Sequence, residues 1–131
     1  MKIHHTGIYV RDLEGVRQFF IDYLGAQAGS KYHNPRTDFE SYFLTFDGDA
    51  KLEIMTRPTL APAAPKNAAD APAPGLHHIA FTLGSRSAVD DLTARLAQSG
   101  YQVLSGPRVT GDGYYESSIE VVEGLNIELS E

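Results

Sequence analysis

The sequence predicts an α+β fold of two tandem β-α-β-β-β modules that together form a curved mixed sheet. Three observations predict this fold. Two segments of similar length, residues 4–57 and 77–130, follow the same order of patterns along the chain. Each segment opens with a strand-like run that begins at two adjacent histidines. In each segment this run is followed by an amphipathic helix and then by further strand-like runs, the last of which follows a turn that contains glycine.

The first module starts with the strand-like run His4–Val10. Asp12 is of a type that caps helices, and the apolar residues after it recur at helical spacing up to Gly25, which is placed to end the helix. The runs Phe39–Phe46 and Lys51–Thr56 then alternate as strands do, and an Asp-Gly turn joins them.

The second module repeats this order from the run His77–Leu83. Ser87 is the predicted cap of its helix, and Gly100 is the predicted end. The runs Tyr114–Val122 and Leu125–Ser130 close the module, with a Glu-Gly turn between them.

The two modules are joined by a segment with the composition of a connector. Pro58–Pro74 contains five of the seven prolines and many alanines, which favours an extended linker over a packed element. We therefore divide the chain into module 1 (1–57), a linker (58–75) and module 2 (76–131). Because a module of about 55 residues is marginally stable alone, we expect residues 1–131 to form one domain.

Composition narrows the possible functions. The absence of cysteine excludes disulfides, thiolate metal sites and cysteine nucleophiles, so a metal must bind His, Asp or Glu. A formal net charge of −6 argues against nucleic acid and anionic membranes as partners. No apolar run approaches a membrane span, and no signal-type segment opens the chain. We expect a cytoplasmic protein that binds a small molecule.

Strand alternation predicts which polar side chains share a face. In module 1, Ile8 and Ile54 lie on the face that a helix can cover, and the residues between the apolar positions point the other way. The same alternation holds in module 2. Four ionisable groups are thereby placed on the faces away from the helices: His5, Glu53, His78 and Glu128.

The spacing of these four residues supports a shared role. His5 precedes Glu53 by 48 residues, and His78 precedes Glu128 by 50. Two imidazoles and two carboxylates on a concave sheet suit one divalent ion of nickel, zinc, cobalt, manganese or iron(II). The neighbouring His4 and His77 fall on the covered faces, so we expect core or edge histidines there rather than ligands.

Four segments carry a resemblance to a known family: HHTGIYVRDLEGVRQFFIDYLGA, KLEIM, GLHHIAFTL and GLNIELSE. They resemble the vicinal oxygen chelate superfamily, which includes glyoxalase I, methylmalonyl-CoA epimerase, extradiol dioxygenases and the fosfomycin- and bleomycin-resistance proteins. The resemblance places the metal ligands at His5, Glu53, His78 and Glu128, a set similar to that of glyoxalase I. It also implies a homodimer.

The resemblance implies a metal-dependent lyase or isomerase of glyoxalase type that acts on a small oxygenated substrate by metal-stabilised enolate chemistry. Glu128 is the implied catalytic base, and Glu53 is its symmetric alternative. At Tyr9 and Arg57 the sequence departs from the residues with which glyoxalase I holds glutathione. These two departures remove support for a glutathione adduct as the substrate.

Three alternatives use the same fold. A metal-free ligand-binding protein of the bleomycin-resistance type would not need four ligands. An extradiol dioxygenase would use two histidines and one carboxylate. A thiol transferase of the fosfomycin-resistance type commonly has another residue at the position of Glu53.

Other polar residues are candidates for the pocket around the metal. Five of them lie in or beside the predicted strands: Tyr9, Tyr42, Tyr114, Tyr115 and Glu116. The glycine-rich segment Ser105–Tyr114 is predicted to form a mobile loop at the mouth. Three arginines are candidates to bind an anionic group of the substrate: Arg36, Arg57 and Arg108.

Overall fold

The computed structural model describes residues 1, 3–62 and 75–131 of the chain. The chain divides into two compact units, unit 1 (Met1–Pro65) and unit 2 (Lys66–Glu131). In the described residues each unit contains one mixed sheet and one α-helix, and unit 2 also has a short 3₁₀ helix, Val122–Gly124. These elements confirm the α+β class. Most of the predicted linker, residues 63–74, lies outside the described residues. No helix among the described residues is long and apolar enough to cross a membrane.

Unit 1 has one helix and five strands, in the order β1 (His5–Tyr9), α1 (Leu13–Leu24), β2 (Gln27–Ala28), β3 (Tyr32–Asn34), β4 (Phe39–Thr45) and β5 (Lys51–Thr56). The sheet order is β1-β5-β4-β2, and β3 also pairs with β4. Strand β1 is parallel to β5, and the other pairs are antiparallel. Module 1 was predicted to have three strands after its helix and has four. Strands β2 and β3 have only two and three residues, too few to show a periodic pattern.

The ends of α1 follow the sequence prediction. The Asp12 side chain accepts a hydrogen bond of 2.9 Å from the Gly15 backbone N–H, which satisfies a donor of the first turn. Gly25 ends the helix with a φ of 65°, a left-handed conformation that glycine adopts without a steric penalty. The buried side chains of α1 pack on β4 and β5.

Unit 2 follows the predicted β-α-β-β-β order, with β6 (Ile79–Thr82), α2 (Arg86–Gln98), β7 (Gln102–Val109), β8 (Tyr115–Glu120) and β9 (Asn126–Ser130). The sheet order is β6-β9-β8-β7. Strand β6 is parallel to β9, as β1 is to β5 in unit 1. The predicted strand His77–Leu83 is shorter than expected, and both of its histidines precede β6.

The predicted cap of α2 was wrong. Ser85, not Ser87, caps the helix: its Oγ accepts a hydrogen bond of 3.2 Å from the Ala88 N–H. The Ser85 carbonyl already accepts from Val89 N–H, so the first helical bond forms two residues earlier than predicted. Ser87 therefore lies inside the first turn.

Each sheet has one face covered by its helix and one open face, which we call the site face. Leu52 and Ile54 in β5 are buried against the helix side, and Glu53 between them lies on the site face. Ile127 and Leu129 in β9 are likewise buried on either side of Glu128. The buried residues fix the register of the closing strands, because a slip by one residue would expose them.

Candidate functional site

Unit 1 brings His5 and Glu53 together on its site face. His5 begins β1, and Glu53 lies in the adjacent parallel strand β5, directly beside Gly7. The His5 Nε2 atom is 3.7 Å from a carboxylate oxygen of Glu53. The Phe43 side chain lies across from Glu53 and packs edge-on against the His5 ring, with centroids 5.3 Å apart.

Unit 2 repeats this arrangement with His78 and Glu128. The His78 Nε2 atom is 3.6 Å from a carboxylate oxygen of Glu128. The exposed side-chain fractions also match: 40% and 20% for this pair, against 39% and 17% for His5 and Glu53. Each unit therefore presents one imidazole and one carboxylate in nearly the same geometry.

In each unit, the distance between the histidine nitrogen and the glutamate oxygen fits a metal ion that binds both atoms. Metal–nitrogen and metal–oxygen bonds of about 2.1 Å at a tetrahedral angle place the two ligand atoms roughly 3.4 Å apart. The observed separations of 3.6 and 3.7 Å need only a few tenths of an ångström of closure. Within residues 1, 3–62 and 75–131, no group of three or more His, Asp or Glu side chains is placed to hold a metal. The structure thus shows one His–Glu pair in each unit.

A cavity of about 450 Å³ adjoins the pair of unit 2. Seven of its eight lining residues carry a polar group, and the lining consists of His78, Ala80, Thr110, Asp112, Tyr114, Glu116, Glu128 and Ser130. The Thr110 hydroxyl donates to Asp112, and Arg108 lies 3.9 Å from Glu116. The predictions that Tyr114 and Glu116 line a pocket agree with this wall.

The predicted loop Ser105–Tyr114 was partly wrong. Residues up to Val109 belong to β7, which pairs with β8 through two irregularities in register. Gly106 lies within the second irregularity with a φ of 80°, and bulged strands accommodate glycine. Only the turn after Val109 remains, and its residues Thr110, Asp112 and Tyr114 reach the cavity.

A second cavity, of about 460 Å³, lies in unit 1 but does not include His5 or Glu53. Its lining contains Arg11, His33, Asp38, Glu40, Thr56, Arg57 and Pro58. The predicted anion-binding residue Arg57 lies here, where its Nε donates to the Thr59 hydroxyl at 2.8 Å. Arg36 lines neither of these two cavities.

Two of the predicted pocket tyrosines lie on the helix side of their sheets. The Tyr42 hydroxyl donates to Glu14 in α1 at 2.9 Å, and the Tyr115 hydroxyl donates to Asp90 in α2 at 2.6 Å. Burial, followed by the bond to Glu14, raises the pKa of Tyr42. The bond to Asp90 is the main cause of the raised pKa of Tyr115. Both tyrosines therefore connect helix to sheet and do not enter the pocket.

The third tyrosine, Tyr9, lies on the site face as predicted, with its ring edge-on to Phe39. Sequence reasoning missed Ser130, although it follows Glu128 by two residues and alternation puts it on the same face. It also assigned no role to His4 and His77. Both were expected to be core or edge histidines; both are exposed, so of these two positions the core position was wrong.

Two units that each place a His–Glu pair on the open face of a mixed sheet define a duplicated-module protein. The family model for the Glyoxalase/Bleomycin resistance protein/Dioxygenase superfamily matches residues 2–129. The chain belongs to this superfamily. The resemblance that the sequence motifs indicated is thereby confirmed.

Relatives agree with this assignment. The uncharacterized protein YqjT of Bacillus subtilis (strain 168) is 31% identical over 133 residues, which cover 97% of this chain and 96% of the relative. A glyoxalase family protein from Enterococcus faecalis has a TM-score of 0.77 at 26% identity, with 99% of this chain and 97% of that chain covered. The trypanothione-dependent glyoxalase I of Leishmania major has a TM-score of 0.76 at 20% identity, with 100% and 86% covered. At that identity the likeness shows the fold alone.

Proposed function

We propose that this chain is a metal-dependent lyase or isomerase of glyoxalase type that acts on a small oxygenated substrate. The observation that carries the proposal is the repetition of one His–Glu pair, with the same atoms facing each other, in both units. Two such pairs supply two nitrogen and two oxygen donors. This mixed set suits a nickel, zinc, cobalt, manganese or iron(II) ion. Membership of the superfamily supports the same chemistry.

The proposed ligands are His5, Glu53, His78 and Glu128. A bound divalent ion supplies Lewis-acid stabilisation of negative charge that develops on a substrate oxygen. The two pairs come either from one chain or from two copies in a homodimer. Mixing His5→Ala protein with His78→Ala protein distinguishes these cases, because metal binding is restored only if two copies share each site.

Glu128 is the proposed general base. It lines the cavity of unit 2, so a substrate carbon held there is close to its carboxylate. Glu53 lines neither of the two cavities described above. In this role Glu128 takes the proton from a carbon next to a carbonyl group and returns it to the neighbouring carbon.

The residues of the cavity wall also favour a particular charge of the substrate. Besides Glu128 it carries the carboxylates of Asp112 and Glu116, and it offers several hydroxyl groups. Carboxylates repel the negative charges of a ligand, so this wall favours a substrate that is uncharged where it is held. The departures at Tyr9 and Arg57 also argue against a glutathione adduct.

The proposal is tested by elemental analysis of protein purified without a His-tag or added metal. We expect stoichiometric metal in the wild type and its loss in His78→Ala and Glu128→Ala. His33→Ala, which removes a histidine outside both pairs, is the matched control and keeps its metal. Glu128→Gln retains an oxygen ligand, and we expect it to slow hydrogen–deuterium exchange next to the carbonyl of thiol–aldehyde adducts by about 10²- to 10⁴-fold.

One result would overturn the proposal. If the wild type contains no metal and takes up none from millimolar nickel, zinc, cobalt or manganese, the enzyme mechanism fails. The cavity of unit 2 would then be a binding site for a small ligand, which is the alternative of the bleomycin-resistance type.

A further inference from the structure

Both proposed ligand histidines make the same hydrogen bond to the histidine before them. The Nδ1 atoms of His4 and His5 are 2.8 Å apart, and those of His77 and His78 are 2.9 Å apart. The two rings are nearly perpendicular in each case, at 84° and 86°, with centroids 5.1 and 5.2 Å apart. The second unit thus reproduces the contact of the first in distance and in ring orientation.

The chemistry of imidazole fixes the direction of this bond when a metal is present. A neutral imidazole carries one N–H donor and one acceptor nitrogen. In His5 and His78 the Nε2 atom faces the partner glutamate, so Nε2 is the nitrogen placed to bind a metal. A metal binds only an unprotonated nitrogen, which leaves the proton on Nδ1. That proton points to the neighbouring histidine, whose own Nδ1 must accept it.

We infer that His4 and His77 are positioning residues that accept a hydrogen bond from the metal-binding histidines. The inference rests on the proposed function, because it requires His5 and His78 to bind metal. The bond holds the ligand ring in the orientation and tautomer that direct the Nε2 lone pair toward the glutamate. Partners of this kind, more often carboxylates or backbone carbonyls, also increase the basicity of the ligand nitrogen.

The exposure of His4 and His77 supports this assignment over a packing role. Both side chains lie on the surface at the start of their strands, where a histidine gains little from burial. Substitution of these histidines by asparagine or leucine distinguishes the two roles. The Asn carbonyl oxygen occupies about the position of Nδ1 and can accept the hydrogen bond, whereas a Leu methyl group fills that position without an acceptor.

The test compares His4→Leu/His77→Leu with His4→Asn/His77→Asn and measures Zn²⁺ affinity by competition with a chromophoric chelator. We expect the Leu double variant to bind zinc about 10- to 100-fold more weakly than the wild type. The Asn double variant keeps most of the affinity. His33→Leu is the matched control and leaves the affinity unchanged.

A second readout detects the bond itself. In the zinc-loaded, ¹⁵N-labelled wild type we expect a coupling between the two Nδ1 nuclei of each pair, with the proton on the ligand ring. Equal zinc affinity of the Leu variant and the wild type, or an Asn variant no better than the Leu variant, would overturn the inference while the metal site stands. If the wild type binds no zinc, the same comparison is made with nickel, cobalt or manganese. A wild type that binds none of these four metals overturns the proposed function, and this inference with it.

Discussion

Unit 1 and unit 2 hold the same His–Glu pair in chemically different surroundings. In unit 1 the residue across from Glu53 is Phe43, whose ring lies edge-on to His5. In unit 2 the residue across from Glu128 is Ser118. The strand pairing is equivalent in the two units, but an aromatic ring borders one pair and a small hydroxyl borders the other.

The contrast continues along each site face. Two residues after the glutamate of the pair stands Met55 in unit 1 and Ser130 in unit 2. Four residues after the histidine of the pair stands Tyr9 in unit 1 and Thr82 in unit 2. Larger and less polar side chains therefore surround the pair of unit 1. The cavity that borders the pair of unit 2 is instead lined by several hydroxyl and carboxylate groups.

The position of each pair and the chemical character of its surroundings therefore depend on different residues. Glu53 and Glu128 keep their positions because the buried residues beside them fix the strand register. The residues across the site face contribute little to that register, so they can differ without moving the pair. Substitutions of the buried residues test whether the two units are equally stable, and substitutions on the site face test whether the different surroundings affect the pairs.

The largest expected effect comes from the buried residue that follows each ligand glutamate. Ile54 and Leu129 are both fully buried. We expect Ile54→Ala and Leu129→Ala each to lower the free energy of unfolding by about 2–5 kcal/mol, through lost apolar burial and the cavity left behind. Urea denaturation measures the change. Leu76→Ala, at a residue 66% exposed, is the control and should change it by less than about 0.5 kcal/mol.

The units would be shown to differ in their packing as well if only one of these two variants were destabilised. In that case the equivalence of the closing strands would be limited to the backbone. Equal losses of unfolding free energy would show that the buried residues stabilise the closing strands of the two units to the same extent.

Much of this architecture could be predicted from the sequence. Alternation in the closing strands placed Glu53 and Glu128 opposite the buried residues, and the repeat pattern placed His5 and His78 beside them. These predictions depended only on the period of two and on the order of elements, both of which are local properties of the sequence. The pairing of each His with its Glu in the structure agrees with them.

Other features could not be predicted because they depend on contacts distant in sequence. Strands β2 and β3 exist through pairing with β4, not through a pattern of their own. The helix side of Tyr42 and Tyr115 was predictable, because alternation with the buried Leu44 and Ile119 already places them there, but their hydrogen-bond partners were not. Their carboxylate partners lie on the helices, 28 and 25 residues away along the chain.

A smaller effect is expected at the site face, where the units differ. Phe43→Ser removes the ring that packs against His5 and leaves this ligand freer to rotate. An aromatic contact of this kind is worth about 0.5–1.5 kcal/mol, so we expect zinc affinity to fall about 2- to 10-fold. Ser118→Ala, at the equivalent position of unit 2, should leave it unchanged. Chelator competition measures both, and equal affinities would show that Phe43 does not restrain His5.

The smallest effect concerns the hydrogen bond between Tyr42 and Glu14, which ties α1 to the sheet of unit 1. The bond from Tyr42 is the main cause of the lowered pKa of Glu14, whose ordinary value is 4.5. Because the folded pKa lies below the unfolded value, the ionised carboxylate contributes stability above pH 4.5. This contribution is lost as the pH falls through the folded pKa.

We therefore expect Tyr42→Phe to destabilise the protein by about 0.5 kcal/mol at neutral pH, a low value because Glu14 is half exposed and water screens the interaction. The difference from the wild type should shrink as the pH falls below 4.5, since protonated Glu14 is a weaker acceptor. Urea denaturation at several pH values measures it, with Tyr32→Phe as a control at an exposed tyrosine. A difference that stays constant down to pH 3 would mean that the Tyr42 hydroxyl stabilises unit 1 equally well beside a neutral Glu14, so that the charge of the carboxylate adds nothing to the link between α1 and β4.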